Sequence, residues 1–233
     1  MKIALVPGDA RQKILGELLA ARGHLVEPYL PDTRADAWLF PLPTGAHPAL
    51  KDLPEGSLAL TGMVSGEWPG LRIRDYYDRE EVRVRNADIT AEGALALGLE
   101  ALDRTLLGAR VLVLGGGRIA QTLARRLRAL GAEVTVYARR SEQRAAAEGL
   151  GCRTLASLPE KPAGFHLVYN TVPAPLLPGK PDCPAVELAS APGGFRDPAG
   201  VIPGRGLPGK TAPRSAAEAL LEAVESILRE ESP

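Results

Sequence analysis

The sequence is poor in aromatic residues, cysteine and histidine, and it has no excess of charge of either sign. Aromatic residues make up 4% of the 233 residues, and there are two cysteines and three histidines. The 28 basic and 28 acidic side chains give a formal net charge of zero and a pI near 6.9. Nucleic-acid binders and proteins of anionic membrane surfaces normally carry a basic excess, so we expect neither class of partner.

The cysteines and histidines do not stand at metal-ligand spacings. Cys152 and Cys183 form no Cys-x-x-Cys pair, and His24, His47 and His166 are scattered along the chain. We therefore predict neither a metal site nor a disulfide scaffold. His166 lies just before or within a predicted strand, where a core or surface role is the simplest interpretation.

Long hydrophobic runs are also lacking, since none approaches the roughly 18–20 residues needed to span a bilayer. The first residues reach Asp9 and Arg11 too early for a signal peptide, so we expect a cytoplasmic protein. Asparagine and glutamine occur only two and three times, while arginine outnumbers lysine 22 to 6. Thermophilic proteins often show this composition, but a GC-rich genome would explain the arginine and alanine equally well.

Short apolar runs alternate with amphipathic segments that end at glycine, which predicts an α/β protein of two lobes with mostly parallel sheets. The first lobe, predicted to be flavodoxin-like, contains a helical segment that ends at Gly23. Its predicted strands cover 3–6, 25–26, 37–40, 57–61 and 71–73. The spacing of four leucines then predicts a bridging helix over 88–106.

The second lobe shows a strict alternation of strands and helices, which predicts a Rossmann dinucleotide-binding domain. Its predicted strands cover 111–114, 133–137, 152–155, 167–170 and 186–188. Ser215 and Glu218 form a predicted capping box for a closing helix that returns to the first lobe. The predicted domains are residues 1–104, 105–212 and 213–233.

A glycine-rich segment at 115–120 carries the most specific motif. Its sequence, Gly-Gly-Gly-Arg-Ile-Ala, satisfies Gly-x-Gly-x-x-Ala, with an apolar strand before it and a helix after it. In this context the glycines allow a tight turn and let backbone amides approach a pyrophosphate at the helix N-terminus. The residues predicted to contact a dinucleotide here are Gly115, Gly117, Arg118 and Ile119.

The end of the second strand of this lobe predicts the choice of dinucleotide. An NAD site usually has an acidic residue there, but this strand ends in Arg139, Arg140 and Ser141. Arginine binds phosphate through two parallel hydrogen bonds, so we predict a 2′-phosphate site and NADP(H) as the cofactor. The alternative interpretation is that both arginines are solvated surface charge.

A further strand ends in Asn170, Thr171 and Val172, at the edge of the sheet where open α/β folds bind ligands. We predict that these residues lie near the ribose and nicotinamide, although polar residues at this edge can simply form a turn. Motifs for nucleophilic catalysis and phosphoryl transfer are lacking, so neither chemistry has a candidate residue.

Several segments together resemble the A subunit of dipicolinate synthase, an NADP-dependent protein family. GDARQ, YNTVPA and ELASAPGG are among them, and ELASAPGG followed by GLPGKTAPRSA is the most distinctive combination. The resembling segments lie at 8–12, 78–93, 114–141, 169–174, 187–194 and 206–220. The resemblance implies two α/β lobes and oxidation of a dihydrodipicolinate-type cyclic dicarboxylate, with hydride transfer to NADP. Its implied partner is a flavoprotein B subunit, and we expect the chain to form a homo-oligomer.

The resemblance further implies a substrate site on the loops of the matching segments. Arg11, Thr90, Lys210 and Arg214 are the predicted substrate-binding residues, because a dicarboxylate needs cationic or polar donors. Glu92 and Asp9 are the predicted acceptors of a ring proton. Ordinary surface pairing is the alternative interpretation for each of these residues.

The sequence departs from the family pattern in its first lobe. The stretch between Pro43 and Gly70 is compressed, and Arg214, Ser215 and Ala217 replace the usual residues of the last segment. Two other functions therefore stay open: a shikimate-like or 2-hydroxy-acid dehydrogenase, and a non-catalytic NADP-binding partner subunit.

Overall fold

A computed structural model describes residues 1–231, and the chain divides into two compact units. The first unit comprises residues 1–86 and the segment from Pro208 onward, and the second comprises residues 87–207. The first division falls within the bridging helix, before the predicted boundary at 104, and the second falls before the predicted boundary at 212. No helix within residues 1–231 is both long and apolar enough to span a lipid bilayer.

The first unit contains a five-stranded parallel sheet. Its elements are β1 (Lys2–Leu5), α1 (Ala10–Ala21), β2 (Leu25–Pro28), β3 (Ala37–Leu39), β4 (Leu58–Thr61) and β5 (Arg72–Asp75), with short 3-10 helices at Pro48–Asp52 and Tyr76–Asp78. The strand order is β2-β1-β3-β4-β5, and all neighbouring strands are parallel. This is the flavodoxin-like order, so the predicted class of this lobe is confirmed.

Helix α2 (Glu80–Ala101) begins eight residues before the predicted bridging helix and ends before its predicted end at 106. Glu80 and Glu81 stand in its first turn, where carboxylates stabilise the positive end of a helix dipole. Leu106 follows the helix and is still buried in the core of the second unit. The leucine spacing therefore predicted too late an end for the helix, because Leu106 is buried like a helix residue but lies in the loop that follows.

The second unit contains a six-stranded parallel sheet. Its elements are β6 (Arg110–Leu114), α3 (Arg118–Ala129), β7 (Glu133–Tyr137), α4 (Ser141–Gly149), β8 (Arg153–Leu155), β9 (Leu167–Asn170), β10 (Ala185–Glu187) and β11 (Ile202–Pro203). The order β11-β10-β9-β6-β7-β8 is that of a doubly wound dinucleotide-binding domain. Every predicted strand is present, and β11 is a strand that the Gly/Pro-rich pattern did not predict.

The C-terminal segment forms α5 (Leu207–Thr211) and α6 (Pro213–Glu231). The apolar face of α6 packs into the core of the first unit, as predicted, with Val224 fully buried against residues of the sheet. The predicted capping box is wrong, because Ser215 and Glu218 both lie inside the helix. The helix instead begins at Pro213, whose missing N–H costs nothing in a first turn.

Gly98 in α2 allows the helix to lie directly on β9. A Cβ atom at this position would stand 1.8 Å from the hydroxyl oxygen of Tyr169, a fully buried side chain. The same hydroxyl donates a 3.1 Å hydrogen bond to the carbonyl oxygen of Ala94. The glycine therefore serves close packing, which outweighs its low helix propensity.

We expect Gly98→Ala to lower the free energy of unfolding by about 1–3 kcal/mol, because the added methyl group overpacks this contact. Urea unfolding of the protein measures the loss. The same substitution in a Tyr169→Phe background should cost less, since the hydroxyl has been removed. Gly149→Ala, at a helical glycine with nothing within 4 Å of the added carbon, is the control and should not destabilise the protein. Equal losses in both Tyr169 backgrounds would contradict this account.

Candidate nucleotide-binding site

The N-terminus of α3 is open, and glycine forms the turn that leads into it. Gly115 has a φ of 111°, a left-handed conformation that glycine adopts without strain. Gly117 is the N-cap of α3, and no side chain caps the first turn. A Cβ atom on Gly117 would meet nothing within 4 Å, so the space beside the first turn is free. Uncapped amides and the helix dipole together make this end of α3 suitable for a phosphate group.

Gly115 and Thr171 bring the ends of β6 and β9 into contact. A Cβ atom on Gly115 would lie 2.3 Å from Oγ1 of Thr171, so no other residue fits without a shift. The Thr171 hydroxyl and backbone amide donate to the carbonyl oxygen of Leu114, at 2.8 and 2.9 Å. Strand order reverses between β6 and β9, and ligands of doubly wound sheets bind at this point.

The end of β7 carries a cluster of arginines next to the open N-terminus of α4. Arg139 and Arg140 are both exposed, and Arg140 forms a 3.2 Å surface ion pair with Glu142. Arg144 donates to the carbonyl oxygens of residues 138 and 139 at 2.9 and 2.7 Å, which holds the turn in place. Within residues 1–231 no ion pair or hydrogen bond engages the Arg139 guanidinium, which leaves its donors available. Ser141 is the exposed first residue of α4, and no side chain caps this helix.

The Asn170 side chain makes its hydrogen bonds within the protein. The side chain is fully buried, and its amide nitrogen donates to Val172 at 2.9 Å and to Glu187 at 2.7 Å. Its side-chain oxygen accepts the backbone amide of Val172 at 3.1 Å. The amide group is thus used within the protein, and it shapes the loop after β9.

Glu187 at the end of β10 is a site residue that the sequence analysis missed. Its buried carboxylate accepts hydrogen bonds from Asn170, from the backbone amide of Ala189 at 2.9 Å and from that of Gly194 at 2.7 Å. It therefore ties the loop after β10 to the end of β9. The sequence did offer one indication of this role, since Glu187 is an acidic residue at the end of an otherwise apolar strand.

The two predicted proton acceptors lie in different units and have different surroundings. Asp9 is the N-cap of α1, where it accepts the backbone amide of Gln12 at 3.3 Å and pairs with Arg11 at 3.0 Å. Glu92 lies on α2 in the second unit, with its side chain 78% exposed and 3.4 Å from Arg126. An exposed ion pair of this kind is worth little and does not prepare a carboxylate for proton abstraction.

The predicted substrate-binding residues also differ in exposure. Arg11 is 5% exposed, and its Nη2 atom donates to Asp9 and to the carbonyl oxygen of Leu42. Arg214 is highly exposed and pairs with Glu218 at 3.1 Å on the surface of α6. Lys210 is exposed on α5, and Thr90 is buried in α2. The structure thus keeps the Arg11 guanidinium in a fixed position at the carboxyl end of the first sheet.

Asp9 also marks where two of the resembling segments meet in the first unit. A Cβ atom on Gly209 would stand 2.0 Å from an Asp9 carboxylate oxygen, so the backbone of α5 lies against this side chain. The segments at 8–12 and 206–220 therefore contact each other at these two residues. Thr61, at the end of β4 in the same unit, has a buried hydroxyl with no hydrogen-bond partner among residues 1–231.

The comparison with known families defines the class of the second unit. Residues 83–175 match the family described as D-isomer specific 2-hydroxyacid dehydrogenase, NAD binding domain. The strand order and the open glycine turn agree with this match. The second unit is therefore a nicotinamide-dinucleotide-binding domain of the dehydrogenase type.

Individual relatives narrow the class to one family. The chain is 32% identical over 168 residues to the dipicolinate synthase A subunit of Bacillus subtilis, covering 66% of this chain and 57% of that protein. The crystal structure of the B. subtilis protein is 24% identical with a TM-score of 0.81, covering 99% of this chain and 96% of that one. The crystal structure of its Bacillus halodurans counterpart is 22% identical with a TM-score of 0.80, covering 100% and 98%. The chain belongs to the family of the dipicolinate synthase A subunit, although its sequence match spans little more than half of the curated relative.

Proposed function

We propose that the protein is an NADP(H)-dependent oxidoreductase of the dipicolinate synthase A type. The observation that carries this proposal is the open N-terminus of α3, with free space beside Gly117, next to a strand end that bears Arg139 and Arg140. A pyrophosphate fits the first position, and a 2′-phosphate fits the second. When bound, the nicotinamide supplies the acceptor or donor of a hydride.

In this proposal each residue at the sheet edge has a defined task. The first turn of α3, including Arg118 and Ile119, holds the pyrophosphate, and Thr171 lines the crevice between β6 and β9. Arg139, Arg140 and Ser141 hold the 2′-phosphate. Asn170 and Glu187 hold the loops after β9 and β10 in position.

The proposed substrate is a dihydrodipicolinate-type cyclic dicarboxylate. Its oxidation to the aromatic ring transfers one hydride to NADP and releases one proton. The family membership supports this choice, and Arg11 is the favoured carboxylate-binding residue because its guanidinium is already held in place. Asp9 is the favoured proton acceptor, since its side chain is 40% exposed against 78% for Glu92 and it lies beside Arg11. The proposed partner is a flavoprotein B subunit.

The substrate proposal is tested by following NADP reduction with the dihydrodipicolinate precursor, with and without a flavoprotein partner. We expect turnover in at least one of the two reactions. Turnover with other hydroxy or keto acids alone would instead favour a shikimate-like or 2-hydroxy-acid dehydrogenase. Tight NADPH binding without turnover on any of these compounds would indicate a non-catalytic partner subunit.

The preference for NADPH over NADH is expected to depend on Arg139. A charge-assisted hydrogen bond contributes about 1.5–3 kcal/mol, so Arg139→Gln should weaken NADPH binding roughly 10- to 100-fold. NADH binding should change little, because NADH lacks the 2′-phosphate. Thermal-shift titrations of the wild-type and variant proteins with both cofactors measure the difference.

Arg22→Gln is the matched control for this substitution, since Arg22 is an exposed arginine at the end of α1 in the other unit. It should leave both affinities unchanged. A wild-type protein that is stabilised by NADH but not by NADPH would overturn the assignment of the 2′-phosphate site. Stabilisation by neither cofactor would contradict the nucleotide-binding proposal itself.

A further inference from the structure

The opposite, amino-terminal edge of the second sheet carries an uncovered polar face. Arg110, Glu133 and Arg153 begin the neighbouring strands β6, β7 and β8. Side chains alternate between the two faces of a strand, so these three share the face of Leu112, which packs in the core further along β6. The connection 156–166 between β8 and β9 contains no helix, and it leaves this part of the face open.

A cavity of about 700 Å³ lies over this face. Its lining includes three guanidinium groups but only one carboxylate, that of Glu133, and the aromatic ring of Phe165. The lining arginines are Arg110, Arg128 and Arg153. Arg128 donates to the carbonyl oxygen of residue 132 at 3.0 Å, and within residues 1–231 no hydrogen bond or ion pair engages the Arg153 guanidinium. The cavity therefore has an excess of positive charge.

The His166 ring lies beside this cavity, and its hydrogen bonds show which ring nitrogen carries the proton. Its Nδ1 atom accepts the backbone N–H of Arg110 at 3.0 Å, which requires a lone pair on that nitrogen. The neutral ring therefore carries its proton on Nε2. Nε2 lies 3.3 Å from Nη1 of Arg104 and 3.4 Å from Nη2 of Arg110.

Three hydrogen-bond donors thus face one another with no acceptor between them. Guanidinium groups cannot accept a hydrogen bond, and the protonated Nε2 atom cannot accept one either. The nearby carboxylates do not fill this position, because Asp103 binds Nε of Arg104 at 3.1 Å and Glu133 forms no ion pair within residues 1–231. An oxygen atom of an anion would satisfy all three donors at once.

We propose that the position between Arg104, Arg110 and His166, beside this cavity, is a second anion site for a phosphate-type oxyanion. The ligand class is a small phosphorylated molecule, whose remaining charge is balanced by Arg128 and Arg153 in the cavity. The site is distinct from the proposed nucleotide site, since it lies at the amino ends of the strands and the glycine turn follows their carboxyl ends.

An anion at this position has a specific effect on His166. In the protein alone, partial loss of hydration and the guanidinium groups of Arg104 and Arg110 lower the pKa of His166, while Asp103 and Glu133 oppose them. A bound anion stabilises the imidazolium form and offsets the two arginines. Phosphate binding should therefore raise the pKa of His166.

The test is an NMR pH titration of the three histidine rings, with inorganic phosphate as the probe and sodium chloride at matched ionic strength as the reference. His166→Gln assigns the His166 signal. We expect the His166 midpoint to move to higher pH and to saturate with phosphate in the millimolar range. His24 and His47 lie in the other unit and should not respond.

Variants separate this site from the nucleotide site. Arg104→Gln should weaken the phosphate response roughly tenfold, because it removes one charged donor. Arg139→Gln should leave the response of His166 unchanged, although it weakens NADPH binding. A His166 titration that is the same in phosphate and in chloride would overturn the proposal, and so would an unchanged phosphate affinity in Arg104→Gln. Two-dimensional NMR spectra of each variant verify that it is folded.

Discussion

Gly117→Val is expected to fold normally and to lose NADPH binding. The backbone at Gly117 is extended, with φ −80° and ψ −176°, so a β-branched residue can adopt it without strain. Its side chain would project into the space beside the first turn of α3, because nothing lies within 4 Å of the added carbon. That space is the proposed pyrophosphate position, so NADPH affinity should fall at least about 100-fold, or about 2.7 kcal/mol.

Thermal-shift titration measures this effect, since a bound ligand raises the unfolding temperature only if it binds the folded protein. In the wild-type protein, NADPH at about 100 times its Kd should add roughly 2.7 kcal/mol of stability. At the same concentration the Gly117→Val protein should gain no more than about 0.4 kcal/mol, so its thermal shift should be several-fold smaller. Gly149→Val is the matched control at the end of α4, where the added carbon also meets nothing within 4 Å, and it should retain the shift. Full NADPH binding by Gly117→Val would place the dinucleotide elsewhere.

The proposed nucleotide site could be predicted from the sequence because its determinants are local. The apolar run of β6, the turn glycines and the first residues of α3 are consecutive, so one segment specifies both the structure and the ligand group. The strands β7 and β9 were predicted with their observed bounds for a similar reason, since β9 is a continuous apolar run that ends at Asn170 and β7 alternates apolar with polar residues.

Features that depend on distant residues could not be predicted in this way. The Tyr169 hydroxyl leaves no space for a side chain at Gly98, and the Asp9 carboxylate leaves none at Gly209. Neither contact leaves a pattern in the sequence. The position of Asn170 at the carboxyl edge of the sheet predicts that it lies near the cofactor. Its partner is Glu187, which is 17 residues away and whose burial is visible only in the folded chain.

Glu187 is expected to be one of the most sensitive positions of the second unit. Its carboxylate accepts three hydrogen bonds in a buried position, from Asn170, Ala189 and Gly194. Glu187→Ala leaves these three donors unsatisfied and opens a cavity. Removing one partner from a buried charged interaction typically costs about 3–5 kcal/mol. We expect the free energy of unfolding, measured in urea, to fall by this amount.

Glu187→Gln separates the contribution of charge and geometry from that of packing. Glutamine keeps the shape of the side chain, but its NH2 group must face at least one of the three N–H donors, so part of the loss should remain. NADPH binding should weaken in both variants, because the loops after β9 and β10 are no longer tied together. Glu160→Ala, in the exposed connection after β8, is the control and should change stability by no more than about 0.5 kcal/mol. If Glu187→Gln were as stable as the wild-type protein, the carboxylate would not hold the loop, and its three hydrogen bonds would be incidental to the site.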